Sequence, residues 1–153
     1  MLKSVLAIII SYVIGNLIFF GIITGCFFLL GVERVFEPDS YEVSSAWLAL
    51  TLITSLLGAM VAGYICLSIS HSWRACQLLA LIALMLTSIS CIVQLKRINP
   101  DAPNIRAGDV DYFNAMKLGV PPRWFPFVNP IVSCMGVLVG ARLKRPASPQ
   151  KRE

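Results

Sequence analysis

"AWLALTLITSLLGAMVAGYICLSI", Ala46 to Ile69, decides how the chain is to be read. None of its 24 residues is charged. A helix rises about 1.5 Å per residue, so about 20 residues cross a hydrocarbon layer of about 30 Å. The run is long enough to cross a membrane as one helix. It also carries Ser55, Ala59 and Gly63 at every fourth position. Lipid tails supply no hydrophobic force between helices, so small residues at this spacing promote close backbone approach instead.

Three more runs of this kind flank it. "SVLAIIISYVIGNLIFFGIITGCFFLLGV", Ser4 to Val32, is uncharged, as is the third run from Cys76 to Leu95. The fourth extends from Trp124 to Leu143. Composition agrees: 57% of residues are hydrophobic and 14% charged, against about 25% charged in an average soluble domain. The expected fold is all-α: an integral membrane four-helix bundle of up-down topology, one domain over residues 1–153. The spans fall at about 4–32, 46–69, 74–95 and 124–143. Outer loops occupy 33–45 and 96–123, and a basic tail occupies 144–153. "SHSWRA", Ser70 to Ala75, is a sufficient connection between antiparallel helices.

The first run is an uncleaved helix. A secretory signal has an apolar region of roughly 7–15 residues, about half this length. "ITGC", Ile23 to Cys26, resembles a lipoprotein cleavage site, but Phe27, Phe28, Leu29 and Leu30 follow where polar residues are usual. The five cysteines form no CxxC pair and read as small packing residues.

Charge gives the orientation. Lys3, Arg74, Arg142, Lys144, Arg145, Lys151 and Arg152 fall on one side, densely spaced. Arg34, Lys96, Arg97, Arg106, Lys117 and Arg123 fall on the other, among nearly all the acids. The denser basic side is the cytoplasmic one, which places both termini inside. The net charge of +5 lies mostly in "RLKRPASPQKRE", a tail suited to anionic lipid headgroups. No interleaving of basic and aromatic residues supports nucleic-acid binding.

No Asp, Glu, Lys, Arg or His lies well inside a span, which removes the groups that proton-coupled transport and intramembrane metal chemistry require. Small multidrug-resistance transporters resemble the chain in size, but they depend on a glutamate in the first helix, where this chain has Asn16. The lone His71 reads as a turn residue, and Asp109 and Asp111 as part of a capped loop helix. That helix, over 108–119, is expected to lie on the membrane surface as an anchor or to act as a lid. No catalytic, cofactor or metal residue emerges.

Packing candidates do emerge. Gly21 and Gly25 form one small-residue pair, Ser55, Ala59 and Gly63 a stripe, and Gly136 and Gly140 a GxxxG pair. They suit either the bundle interior or a homo-oligomer or membrane-protein partner. Tyr12, Asn16 and Asn129, with Thr54, are candidate intramembrane polar contacts. "GAMVAGYI", Gly58 to Ile65, also aligns without gaps to "GVLVGARL", Gly136 to Leu143, as two like-oriented hairpins would produce.

Before the fourth span stands "RWFPFVNP", Arg123 to Pro130. Trp124 and Phe125 suit an interfacial aromatic belt. Pro126 suits a first helical turn, and Pro130 frees the Pro126 carbonyl from a helical bond. "GAMVAGY", a polar hairpin, an apolar helix and then "PPRWFPFVNP" before a GxxxG helix with a basic end together resemble small four-span bacterial inner-membrane proteins without an assigned function. The resemblance covers Gly58 to Arg145 and implies an inner-membrane address. The expected role is that of a structural or accessory interaction protein, not an enzyme. The alternative is a small carrier or pore for an uncharged or lipid-like solute. A reporter fused after Glu153 is expected to read cytoplasmic, and a periplasmic reading would reverse the orientation.

Overall fold

The computed structural model describes residues 2–38, 40–97 and 119–144. Every element among them is helical: α1 Leu2–Leu30, α2 Val32–Val35, α3 Ser45–Ser70, α4 Trp73–Arg97 and α5 Phe125–Lys144. Four of these, α1, α3, α4 and α5, are long and apolar enough to cross a membrane. The surface helix expected over 108–119 and the basic tail beyond Lys144 fall outside the described residues. The loop over 33–45 holds more than expected: a helical turn, α2, and isolated bridges pairing Phe36 with Val43 and Glu42 with Val120.

Burial along the helices is the reverse of a water-soluble core. Leu17, Phe28, Leu29, Ile53, Met85 and Phe127 are each more than half exposed. Much of the interior is made of small or hydroxylated side chains, among them Ala7, Ser11, Thr54, Cys66, Cys76 and Ala141, with a few larger ones such as Leu79 and Val137. Large apolar groups outside and small ones inside are what a lipid solvent selects. The chain is an integral membrane protein.

Helix α3 is the hub. It packs most extensively on α5 and next on α1, while α4 packs mainly on α5. Although α4 follows α3 after a tight turn, the two touch much less. Ser55 meets Ser133, 78 residues on, and Ala59 meets Gly136, so α3 and α5 run parallel. Gly15 and Phe19 both approach Gly58, and Gly15 also meets Ala62, so α1 runs antiparallel to α3. The structure thus packs α3 on α5, with α1 docked on α3 and α4 mainly on α5.

At the loop end, Gly31 closes α1 at φ 71°, a conformation suited to glycine, and its N–H reaches the Phe27 carbonyl at 2.9 Å. Ser44 caps α3: its Oγ accepts from the Trp47 N–H at 3.3 Å and donates to the Arg34 carbonyl at 2.7 Å. Val120 bonds Tyr41 and Val43 through the backbone, which ties the chain entering α5 to the loop entering α3. Phe27, Val35 and Phe36 pack beneath Tyr41 and Trp47 to close this end.

At the tail end, Lys144 lies 5.2 Å from the centre of the Tyr64 ring. His71 ends α3 in the left-handed region (φ 49°, ψ 20°), donating its N–H to the Leu67 carbonyl. Its side chain is exposed, so the residue serves the turn through its backbone. The left-handed conformation disfavours a Cβ by about 1 kcal/mol. His71→Gly should therefore raise thermal stability in detergent by about that amount, and His71→Val should lower it. Equal melting temperatures for the two variants would contradict this account of the turn.

Candidate functional site

The site begins with two close helix contacts. Where α3 meets α5, a Cβ added at Gly63 would fall on the Val137 carbonyl, and one at Gly140 on the Met60 carbonyl. One at Gly136 would lie 2.7 Å from the Ala59 Cβ and 3.0 Å from the Leu56 carbonyl oxygen. The backbones therefore touch directly, at a separation only glycine allows. Ser55, Ala59, Gly63, Gly136 and Gly140 all belong to this contact.

The α1 contact lies elsewhere than on the Gly21 and Gly25 pair. Both are exposed, with nothing within 4 Å of an added Cβ. The contact uses Gly15, whose added Cβ would lie 2.9 Å from the Ala62 Cβ and 3.0 Å from the Gly58 carbonyl oxygen. Ala7, Ser11 and Gly15 form the buried stripe. Their four-residue spacing was the sequence signal for this face; it is a small-residue stripe with only one glycine in it.

Above these contacts, at the middle of the helices, α1, α3, α4 and α5 leave a cavity of about 120 Å³. Tyr12 and Asn16 reach it from α1, Ser55 and Gly58 from α3, Thr87 from α4, and Asn129 and Ser133 from α5. The polar candidates Tyr12, Asn16 and Asn129 are thus brought together. Thr54 is buried but does not line the cavity. Ser55, Thr87 and Ser133 were not marked as cavity residues, because a hydroxyl in a span is ordinarily read as bonded to its own helix.

The hydrogen bonds give the cavity a definite polarity. Thr87 Oγ1 donates to the Ala83 carbonyl at 2.6 Å. Ser133 Oγ donates to the Asn129 carbonyl at 3.0 Å. Ser133 Oγ also lies 2.9 Å from Ser55 Oγ, and with its own proton committed it accepts there from Ser55. All three hydroxyl protons are then in use, and lone pairs are what these groups still present. Asn16 Nδ2 donates to the Tyr12 carbonyl at 2.8 Å. Asn129 Oδ1 is buried and has no hydrogen-bond partner among the described residues. Leaving such an acceptor unmet costs about 1–3 kcal/mol.

The floor is sealed. Leu79 and Val137 border the cavity and are almost fully buried, and Cys66, Cys76 and Ala141 pack behind them. Asn16, Thr87 and Asn129 on its walls are only half-buried. In the "RWFPFVNP" stretch, Trp124 is exposed as a belt residue should be, but Phe125 turns inward and Phe127 faces out. The helix starts at Phe125, so its facing puts position 127 on the lipid side. Among the described residues no group of three or more His, Cys, Asp or Glu side chains is placed to hold a metal ion.

No protein-family model, curated protein or solved structure matches the chain.

Replacing Gly63 or Gly140 by leucine should destabilise the fold by at least about 1–3 kcal/mol, because the new side chain meets backbone that cannot move aside. Gly21→Leu and Gly25→Leu should stay within about 0.5 kcal/mol of wild type. Thermal unfolding of the four variants in one detergent checks the contrast. Equal losses at Gly63 and Gly21 would disprove the assignment of the contact face.

Proposed function

We propose that the protein is a structural or accessory interaction protein of the bacterial inner membrane. In this reading it is a four-helix bundle of up-down topology with both termini in the cytoplasm, and it carries out no catalysis. The observation that carries the reading is the close packing of α3 on α5 in the tail half of the helix assembly. There α3 and α5 touch backbone to backbone at Gly63 and Gly140, and Leu79, Val137, Cys66 and Cys76 pack around that contact, while a side crevice of about 420 Å³ between α4 and α5 runs from Trp73 to Arg142. A solute would have to break the tightest contact in the protein to pass. That weighs against a pore, whose water-filled path would need polar walls throughout.

The lipid side fits a membrane-embedded partner role. The helices present a broad surface of large apolar side chains that can rest against lipid, another membrane protein or a second copy of the chain. Arg142 and Lys144, exposed at the end of α5, begin the basic segment expected to meet anionic headgroups.

The readings separate in two measurements on the full chain. In-membrane crosslinking followed by native mass spectrometry should yield a complex of fixed stoichiometry, homomeric or with another membrane protein. Vesicles containing the purified protein should show no glycerol or urea influx above protein-free vesicles in stopped-flow light scattering. Protein-dependent influx, with only monomers after crosslinking, would replace this reading with the carrier.

A further inference from the structure

We propose that the cavity between the four long helices is a binding site for a neutral hydrogen-bond donor, the hydroxyl group of an alcohol. The inference goes beyond an interaction role and does not depend on it. Three properties of the cavity select this chemistry.

The first is what its polar groups still offer. The hydroxyl protons of Thr87 and Ser133 go to carbonyls of their own helices, and that of Ser55 goes to Ser133. Asn129 Oδ1 is buried and unmatched among the described residues. A ligand hydroxyl can donate to that acceptor and accept from the Tyr12 hydroxyl or an amide N–H of Asn16 or Asn129, whereas an ester, ether or ketone has no proton to give. The second is charge. No ionisable side chain other than Tyr12 lines the cavity, and an ammonium or guanidinium moved to the membrane midplane without a counter-charge would be heavily penalised. The third is form. The walls are largely apolar, with Phe19, Ala59, Ala83 and Val137 beside the polar cluster, the usual make-up of a small-molecule pocket. At about 120 Å³ the space suits a head group with the bulk of roughly four water molecules.

A hydroxyl can arrive from either phase. A long-chain alcohol in the bilayer would keep its tail in lipid and place its head against Asn129. A small polyol would come from the aqueous phase.

The test uses the full chain in nanodiscs and a hexadecanol carrying a diazirine near its hydroxyl. Irradiation should label the segments around Tyr12–Phe19 and Asn129–Val137. Unlabelled hexadecanol should compete, and hexadecyl methyl ether, which cannot donate, should compete about tenfold less well. Asn129→Leu should reduce labelling about tenfold, the worth of one donor bond to a buried acceptor. That variant relieves an unmatched polar atom, so its melting temperature should equal or exceed that of wild type. Ser133→Ala serves as the second variant, and it too should reduce labelling. Protection by glycerol but not by hexadecanol would support the donor chemistry and assign its source to the aqueous phase. Equal competition by alcohol and ether, or wild-type labelling of a folded Asn129→Leu variant, would overturn the proposal. The cavity would then be a lipid crevice or a pocket of water.

Discussion

Helices α3 and α5 touch through backbone, and the rest of the structure is arranged around that contact. Burying a large apolar side chain between helices gains little when the alternative is lipid. What remains is close packing, with weak Cα–H to carbonyl contacts where two backbones meet. Gly63 against Val137 and Gly140 against Met60 are contacts of that kind. Because α3 and α5 leave no room for side chains between them, α1 must dock on the other side of α3, through Gly58 and Ala62. Helix α4 is left to dock mainly on α5. The weak α3–α4 contact, unexpected for neighbours in sequence, follows from this order.

The same contact gives physical content to the resemblance between "GAMVAGYI" and "GVLVGARL". The alignment pairs Gly58 with Gly136, and Ser55 bonds Ser133 across the helix contact at the same separation of 78 residues. The two segments are parallel and in register, as two like-oriented hairpins packed on their second helices would be. The symmetry is local. Gly58 faces α1, whereas its counterpart Gly136 faces α3. Each helix of the pair has thus been adapted to a different neighbour.

The four spans could be read from sequence because hydrocarbon thickness sets a length and excludes charge, both local properties of the chain. The α3 stripe and the α5 GxxxG pair were legible for a related reason: small residues at four-residue spacing place a bare strip along one face. On α1 the same rule marks a face that no described helix covers. Gly21 and Gly25 have the spacing, but the helix turns them outward, and Ala7, Ser11 and Gly15 carry the contact. Spacing identifies a bare strip, but which strip is used depends on the partner surface. Trp124 and Phe125 show the same limit, since composition placed both aromatics near the interface without giving their facing. Within the site, Asn16 and Asn129 stood out as amides in apolar runs. Their convergence with Ser55, Thr87 and Ser133 depends on how four helices align, which no single span encodes.

The cavity and the tight contacts have one origin. Gly15 and Gly58 both bring α1 onto α3 and line the cavity, so the missing side chains that permit contact below also leave space above. In water such a space would fill without consequence. At mid-membrane, a polar group must find its partner within the protein, so hydroxyls turn to the carbonyls of their own helices. Thr87 and Ser133 do so, and Ser55 reaches the same end by way of Ser133. Each such bond uses a proton and leaves a lone pair, so these three hydroxyls present acceptors to the cavity. Asn129 Oδ1 adds another, a buried acceptor for which the described residues offer no donor. The acceptor character of the site thus follows from the lipid solvent acting on hydroxyl side chains, and it rests on the same packing of small residues that holds the helices together.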